Sequence, residues 1–529
     1  MKDRKYMRNQ FIVCLITLVS LACRAQTFRW ATQGDALTLD PHARNEQLTN
    51  NINGQIYEPL VSRDKQLNIV PSLAVSWDRI SPVRWRFNLR KGVRFHDGST
   101  LTADDVVFSV LRAQAPTSGF LTYASALGTP TKIDEITVEF VTPQFNPIFL
   151  QHLAFVQIMS KSWAEKFDAI QPQDFKTGEI KYTTTHANGT GPYLLVSRQV
   201  DQRTTFRKNQ NWWGAFEGNV QEVIFSPIKA DSTRTAALVT GEVELVLDPV
   251  TQDIARLRET NGVKIVDGLE NRLIYLGFDQ ARSELLYSDV KGKNPFKDIR
   301  VRKALYHAID IETIRRKLMS GHSMPTGSMT PSPMGSFNDP AIEGRLPFDQ
   351  AAARNLFTQA GYPEGFGFTL DCPNNRYIND EEICLALSSM WAQVGLKVKV
   401  NAMPRALYFA KGEKLDISAF LSGWGGSVTD AETTLTNLLR SRGAKGVGYS
   451  NWGDYKNARL DELAAASSIE TDATKRESLI KAALREHNEQ IHHIPLHRQV
   501  IPWAMRSNVT AVHRADNWLE WRWVTVAAK

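Results

Sequence analysis

Two periods of hydrophobic residues alternate along this chain. In "WRFNLRKGVRF" (85–95), Trp85, Phe87 and Leu89 fall on one face, and Arg86, Asn88 and Arg90 on the other. That spacing of two predicts a half-buried strand. "HDGSTLTADDVVFSVLRA" follows, with His96-Asp97-Gly98 as a turn. Thr102 and Asp105 form a capping box ahead of a helix near 103–113, and the Asp104-Asp105 pair suits the positive end of that helix. In "NPFKDIRVRKALYHAID" (294–310), Val301, Leu305, Ala308 and Ile309 share one helical face. "DQAAARNLFTQAGYP" (349–363) predicts a helix begun by Asp349, stopped by Gly361 and kept from resuming by Pro363. "FTLDC" and "GLKVKVNA" predict strands around a helix near 380–394, and "ATKRESLIKAALREHNEQ" (473–490) a long amphipathic helix. "HIPLHRQVIPWAM" returns to extended chain, and the charged run "KGEKLD" (411–416) is read as a solvated loop.

Helices and strands interleave throughout, so the fold class is α/β with more than one sheet. At 529 residues the chain exceeds one ordinary core, and two or three domains are expected. No tandem repeat and no low-complexity linker interrupts it. Lobes joined by several crossings fit that continuity better than separate beads.

The N-terminus stands apart. "MKDRKYMR" is basic, "FIVCLITLVSLA" (11–22) is uncharged, and "CRAQ" offers small residues at Cys23 and Ala25. This is the pattern of a cleavable export signal, and the apolar stretch is short for a membrane span. Cleavage after Ala25 is the reading adopted. A retained anchor and a lipoprotein acylated at Cys23 are the alternatives. The segment carries five basic residues (Lys2, Arg4, Lys5, Arg8, Arg24) against Asp3, so the formal charge of +7 falls to +3 without it. That residue of charge argues poorly for nucleic acid. Cys372 and Cys384 remain after cleavage; they either pair or stay as separate buried thiols.

Chemistry-bearing motifs are few. There is no G-x-S-x-G, H-E-x-x-H, Walker A or G-x-G-x-x-G. Ser62-x-x-Lys65 and Ser226-x-x-Lys229 lack the companion elements of a serine-lysine enzyme. His492, His493 and His497 in "IHHIPLH" form the best metal candidate, but Pro495 denies them a helical face and no further ligand cluster completes a site. No metal, cofactor or catalytic residue is expected.

The segment "LSGWGGSVTDAETT" (421–434) holds Trp424 between glycines, with carboxylates close behind. Glycines allow close backbone approach. The segment therefore reads as a place built to be approached, with Trp424, Gly425, Gly426, Ser427 and Asp430 as candidate binding residues. The alternatives are a Trp424 packed under the sheet, and Asp430 or Glu432 capping a helix that starts near 430. A second candidate is "CPNNRYIND" (372–380), lying between a strand and a helix, where α/β sheets hold ligands. There Arg376 is able to fork onto a carboxylate, with Asn375 and Tyr377 beside it. Pairing of Arg376 with Glu381 or Glu382 is the alternative.

Five ordered blocks resemble one family. "LAVSWDRISPVRWRFNLRKGVRFHDGSTLTADDVVFSV" (73–110), "GTGPYLLVSRQVDQRTTFRKNQNWWG" (189–214), "FKDIRVRKALYHAID" (296–310), "AARNLFTQAGYPEGFGFTL" (352–370) and "GDYKNARLDELAAASSIETDATKRESLIKAA" (453–483) are similar to the extracytoplasmic solute-binding proteins of peptide-type ABC importers, family 5. That group includes dipeptide-, oligopeptide-, glutathione-, opine- and nickel-binding members. The resemblance implies a two-lobed periplasmic-binding-protein fold with a hinge and an extra subdomain on the N-terminal lobe. Its expected divisions are 1–25 signal, 26–60 and 186–271 lobe I, 61–185 extra subdomain, 272–498 lobe II, and 499–529 return to lobe I. It implies a monomeric periplasmic protein that captures a peptide or peptide-like solute and delivers it to the ABC permease, without performing chemistry. An opine, a modified amino acid or an oligosaccharide is the alternative ligand, and a secreted hydrolase the rival class. In peptide-binding members an Asp shortly after the Trp of a "GW" segment holds the ligand's α-ammonium. Ser427 stands at that place here, which removes a countercharge.

Overall fold

A computed structural model describes residues 26–175, 177–331, 337–374, 376–426, 428–444 and 447–528. Its organising feature is a pair of unusually long antiparallel strands, Val263–Phe278 and His493–Arg506. At about 3.3 Å per residue each spans on the order of 50 Å, more than one small core needs. Val263–Leu269 pairs with Val500–Arg506, and Leu273–Gly277 pairs with His493–Arg498. The ladder breaks between Leu269 and Leu273. An eleven-stranded mixed sheet is built outward from this pair. On one side of the break lie Leu245–Val246, Thr27–Thr32, Glu222–Pro227, Arg203–Lys208 and Tyr193–Gln199; on the other lie Ala419–Gly425, Gly367–Pro373 and Lys397–Met403.

The two ends of this sheet carry separate cores. Phe28, Trp30, Phe225, Trp503 and Trp521 pack at the first end, and Phe278, Phe296, Phe368 and Trp391 at the second. A third core lies against a four-stranded antiparallel sheet of Ala74–Ser81, Arg84–Leu89, Thr137–Val141 and Thr129–Asp134. Here the alternation of 85–89 is realised: Phe87 and Leu89 are buried, and Trp85 stacks on Phe149 at 5.0 Å. The helix Ala103–Ala113 covers this sheet, with Asp105 Oδ2 accepting from the Thr102 amide at 2.9 Å as the capping box predicts. Its Arg112 reaches across to the first core. Arg112 donates to both carboxylate oxygens of the fully buried Asp40, at 2.7 and 2.6 Å.

Several local expectations shift. The helix expected over 294–310 is Ile299–His307, because Asp298 caps it afresh through the Arg300 amide at 2.8 Å. Pro295–Lys297 is a separate 3₁₀ turn capped by Asn294. The helix Gln350–Gln359 begins at Asp349 and ends before Gly361, whose φ is +89°. "KGEKLD" is not simply a solvated loop. Lys411 sits on the helix Arg405–Glu413 and donates to Asp371 Oδ2 at 2.9 Å, tying the segment to the sheet. Cys372 and Cys384, left open by the sequence, are joined in a disulfide and are fully buried.

The histidines of "IHHIPLH" are core residues. The His492 ring stacks on Tyr455 at 3.9 Å, and His493 Nδ1 lies 2.9 Å from His487 Nε2. His497 is buried elsewhere on the strand. Among the described residues no group of three or more His, Cys, Asp or Glu is arranged to hold a metal ion. No described helix is long and apolar enough to cross a membrane.

Candidate functional site

The break in the long ladder opens onto a cavity of about 1080 Å³. Its walls come from both ends of the sheet and from the four-stranded subdomain. That volume is at the upper end of ordinary small-molecule clefts.

Trp424 and its glycines form one wall. The strand Ala419–Gly425 runs antiparallel to Val263–Phe278, setting Gly425 opposite Arg272 and Trp424 opposite Leu273. A Cβ at Gly425 would stand 2.0 Å from the Asn271 carbonyl oxygen. Gly426 has φ +141°, and its N–H donates to the same oxygen at 2.9 Å. The Asn271 side chain in turn donates to the Gly426 and Val428 carbonyls. What approaches these glycines is therefore the crossing strand, at the point where its ladder breaks. Both glycines also line the cavity. Trp424 is half-buried on the cavity wall, and its indole N–H donates to Thr434 Oγ1 at 3.0 Å, which fixes the ring.

The loop after strand Gly367–Pro373 supplies the charge. Its turn is pinned by Asp380, whose Oδ2 accepts from the Arg376 and Tyr377 amides at 2.9 and 3.0 Å. The Arg376 side chain lines the cavity with its guanidinium 5.0 Å from the Tyr377 ring centre. It makes no ion pair with Glu381, Glu382 or any other described carboxylate. Burial, and then the neighbouring Arg272 charge, lower its pKa from the usual arginine value. Tyr377 lies behind the wall: it is 8% exposed, belongs to the second core, and donates to the Gly423 carbonyl. Asn375 and Ser427 lie outside the described residues.

Asp430 is turned away from the cavity lining. Its carboxylate is forked by Arg476, and Oδ1 also accepts from the Glu432 amide at 2.8 Å, capping the turn that follows. That turn continues into the π-helical segment Thr434–Leu439. Single π turns often accompany functional sites, and here Glu432, Thr433, Thr436 and Asn437 all face the cavity. Glu432 accepts from Thr436 Oγ1 at 2.6 Å, and burial raises its pKa from the usual carboxylate value.

The sequence reading passed over several wall residues. Arg272, at the ladder break, donates to Glu270 Oε1 at 3.0 Å, and Gln499 holds the other Glu270 oxygen at 2.8 Å. Tyr123 and Phe155, with ring centres 4.6 Å apart, form an aromatic shelf from the subdomain. Trp518 closes the end nearest the C-terminus. Arg272 carried a faint local signal, since it stands with Glu270 directly before the apolar run Leu273–Leu276. The aromatic shelf carried none, because its parts are 32 residues apart and meet only in the fold.

The site thus offers aromatic walls, a guanidinium without a carboxylate partner, and a joint between two halves of a sheet. The chain is 27% identical over 502 residues to heme-binding protein A of Haemophilus influenzae, covering 90% of this chain and 87% of the relative. It is 27% identical over 500 residues to the dipeptide-binding protein of Escherichia coli, covering 88% of each. The solved structure of HbpA2 from Haemophilus parasuis shares the fold with a TM-score of 0.80 at 21% identity, over 95% of this chain and 100% of that one. The family described as bacterial extracellular solute-binding proteins, family 5 (middle), matches residues 68–446. With that match spanning most of its length, this chain belongs to the family 5 bacterial extracellular solute-binding proteins, and its fold is the two-lobed binding-protein fold.

Proposed function

We propose that the chain is the extracytoplasmic receptor of an ABC importer, and that it captures a carboxylate-bearing peptide or peptide-like solute in the cleft and delivers it to the membrane permease. It binds without chemical conversion. The observation that carries the ligand class is Arg376, a half-buried guanidinium on the cavity wall with no described carboxylate at ion-pair distance, the acidic group that acts on it being Glu270, which is itself bonded to Arg272. An anionic group of the solute relieves that imbalance, and charge-assisted hydrogen bonds are roughly twice as strong as neutral ones. Trp424, fixed by Thr434, supplies packing area on the same wall.

Recognition of a free α-amine is not the main determinant in this reading. Asp430 is committed to Arg476, and Glu432 is held in surroundings that disfavour its charged form. The solute is then a peptide whose amine is blocked or modified, or a carboxylate-bearing non-peptide such as an opine-like conjugate. In the same reading residues 26–60, 186–271 and 499–529 move as one lobe carrying subdomain 61–185, and 272–498 as the other. Residues 1–25 direct export and are removed, so N-terminal sequencing of the exported protein begins at Gln26; a lipidated Cys23 there contradicts it.

Calorimetry against plain dipeptides, N-acetylated dipeptides and carboxylate-bearing non-peptides tests the ligand class. Trp424→Ala should weaken binding by roughly 1.5–3 kcal/mol, the transfer value of a buried large apolar side chain. Arg376→Ala should cost about 1–3 kcal/mol or more by leaving the bound anion unpaired. Tight binding of plain dipeptides that is lost on N-acetylation would sink this reading and give Glu432 the role of countercharge.

A further inference from the structure

A second guanidinium lines the same cavity as Arg376. Arg272 belongs to the stretch 270–272, which the strand His493–Arg506 leaves unpaired between the two halves of the long ladder. It stands opposite Gly425, where a Cβ would lie 2.7 Å from the Arg272 Cα, so the glycine lets the two strands close up at this point. The Asn271 amide, bonded to the Ala515 carbonyl, fixes the stretch.

The Arg272 side chain is aimed by two neighbours. Its Nε donates to Glu270 Oε1 at 3.0 Å, and Gln499 Nε2 donates to the other Glu270 oxygen at 2.8 Å. All three residues are buried. The bond to Glu270 uses Nε alone. Nη1 and Nη2 of Arg272 donate to no described group, yet neither is among the polar atoms sealed inside the protein without a partner. Both therefore reach the cleft that Arg272 lines.

The charges at this end of the cleft do not cancel. After burial, the Arg272 charge is the largest cause lowering the pKa of Arg376, and Arg405 adds to it, while Glu270 is the carboxylate that opposes them. The other two described carboxylates on the cavity wall are engaged elsewhere: Asp516 is paired with Arg514, and Glu432 accepts from Thr436. Arg272 and Arg376 thus share one acid, and one positive charge is left over. Partly buried charge of one sign is costly until a counterion arrives.

We propose that Arg272 is a second anion-contacting residue of the cleft: one carboxylate of the solute lies between Arg376 of the loop and Arg272 of the crossing strand, and Glu270 and Gln499 are positioning residues that aim Arg272 and trim the site to a single anion. The proposal rests on the reading of the cleft as the site of a carboxylate-bearing solute. It makes Glu270 a determinant of specificity. A carboxylate that takes no part in holding the solute nonetheless limits how much negative charge the site accepts.

The probes are N-acetyl-L-alanyl-L-alanine and its C-terminal amide, which differ in the carboxylate, applied to the mature full-length protein in calorimetry. Wild type should bind the acid more tightly than the amide. Arg272→Gln should weaken the acid about tenfold or more, the scale of a hydrogen bond to a charged group, and leave the amide unchanged. Arg272→Lys, which keeps the charge, should retain part of the acid's affinity and controls for folding. Glu270→Gln keeps an acceptor for Arg272 Nε, and Gln499 accommodates the new amide by turning its own, since its Oε1 has no partner among the described residues. That variant should bind the acid several-fold more tightly, a gain that a merely structural clasp does not give. Weakening of the acid by Arg376→Gln but not by Arg272→Gln overturns the second contact and leaves the cleft reading standing. Equal weakening of acid and amide by Arg272→Gln, or weakening of the acid by Glu270→Gln, overturns it too and reduces the three residues to a structural clasp. Acid and amide bound alike by wild type, or neither bound, removes the carboxylate reading and the second contact with it.

Discussion

Arg476 forks onto Asp430, with Nη1 2.8 Å from Oδ2 and Nη2 2.8 Å from Oδ1. The pair sits just behind the cleft wall and sets the turn that presents Glu432. It turns a residue that the sequence offers as a ligand group into a support. Asp430→Ala strands the Arg476 guanidinium, which is 9% exposed. The expected loss is about 3 kcal/mol of stability, the lower end for a broken buried pair because a tenth of each side chain stays exposed. Urea unfolding measures this, and calorimetry on the same variant should find affinity close to wild type. An affinity loss with unchanged stability would show Asp430 acting on the ligand directly.

The disulfide brackets the Arg376 loop. Cys372 is the penultimate residue of one strand, Cys384 lies in the following helix, and Arg376 falls between them in sequence. Closing a loop of this size removes about 3 kcal/mol of unfolded-chain entropy. The double variant Cys372→Ala/Cys384→Ala should melt at a lower temperature. It should also bind carboxylate solutes more weakly, since hydrogen bonds of Asp380, Tyr377 and Asn379 then hold the turn without the covalent link. Unchanged affinity would mean that these hydrogen bonds suffice to position Arg376.

Stability should fall on mild acidification. Burial, the largest cause in each case, holds His42, His487 and His497 at about 3, His492 at about 2, and His96 and His152 at about 4. For His42 the adjacent Arg112 charge adds to the effect. A histidine neutral in the fold and charged when unfolded takes up a proton on unfolding, so stability drops as pH falls below about 6.5. Asp40 behaves differently: its carboxyl is held at about 2 by Arg112, against burial, and its contribution is lost only below about pH 4. Unfolding free energies at pH 7, 6 and 5 should therefore decline by more than about 1.4 kcal/mol per unit between pH 6 and 5, meaning more than one proton taken up. A flat profile over that range would place these rings in contact with solvent.

Ligand should bring the two halves together. Asn271 sits where the crossing ladder breaks, is 1% exposed, and clasps the Gly426 and Val428 carbonyls while its own amide donates to the Ala515 carbonyl. A joint so placed converts contacts made only in the closed form into closure. Small-angle scattering should give a smaller radius of gyration with a bound solute. Asn271→Ala should cost about 1–3 kcal/mol of stability through the freed carbonyls. Scattering curves that superpose with and without solute would mean that the cleft is already closed.

Local order was set by local chemistry, and the sequence alone determined it. The alternation at 85–89, the Thr102–Asp105 box and the Asp349 start each depend on residues within a turn or two of each other. The family resemblance was likewise spread over ordered blocks that need no folding to be read. The places of Arg376 and Trp424 on the cavity wall follow from short segments, a loop and a strand end, that stand out in the sequence. What the tertiary structure decided were the long-range partners. Whether Asp430 faces a solute or Arg476 depends on a side chain 46 residues away. Whether Tyr377 lines the cleft or the core depends on the strand that Gly423 belongs to. Tyr123, Phe155 and Trp518 come from segments whose proximity no local period encodes. A buried charge is stable only with its counterpart or its ligand in place, and only the folded chain brings that choice about.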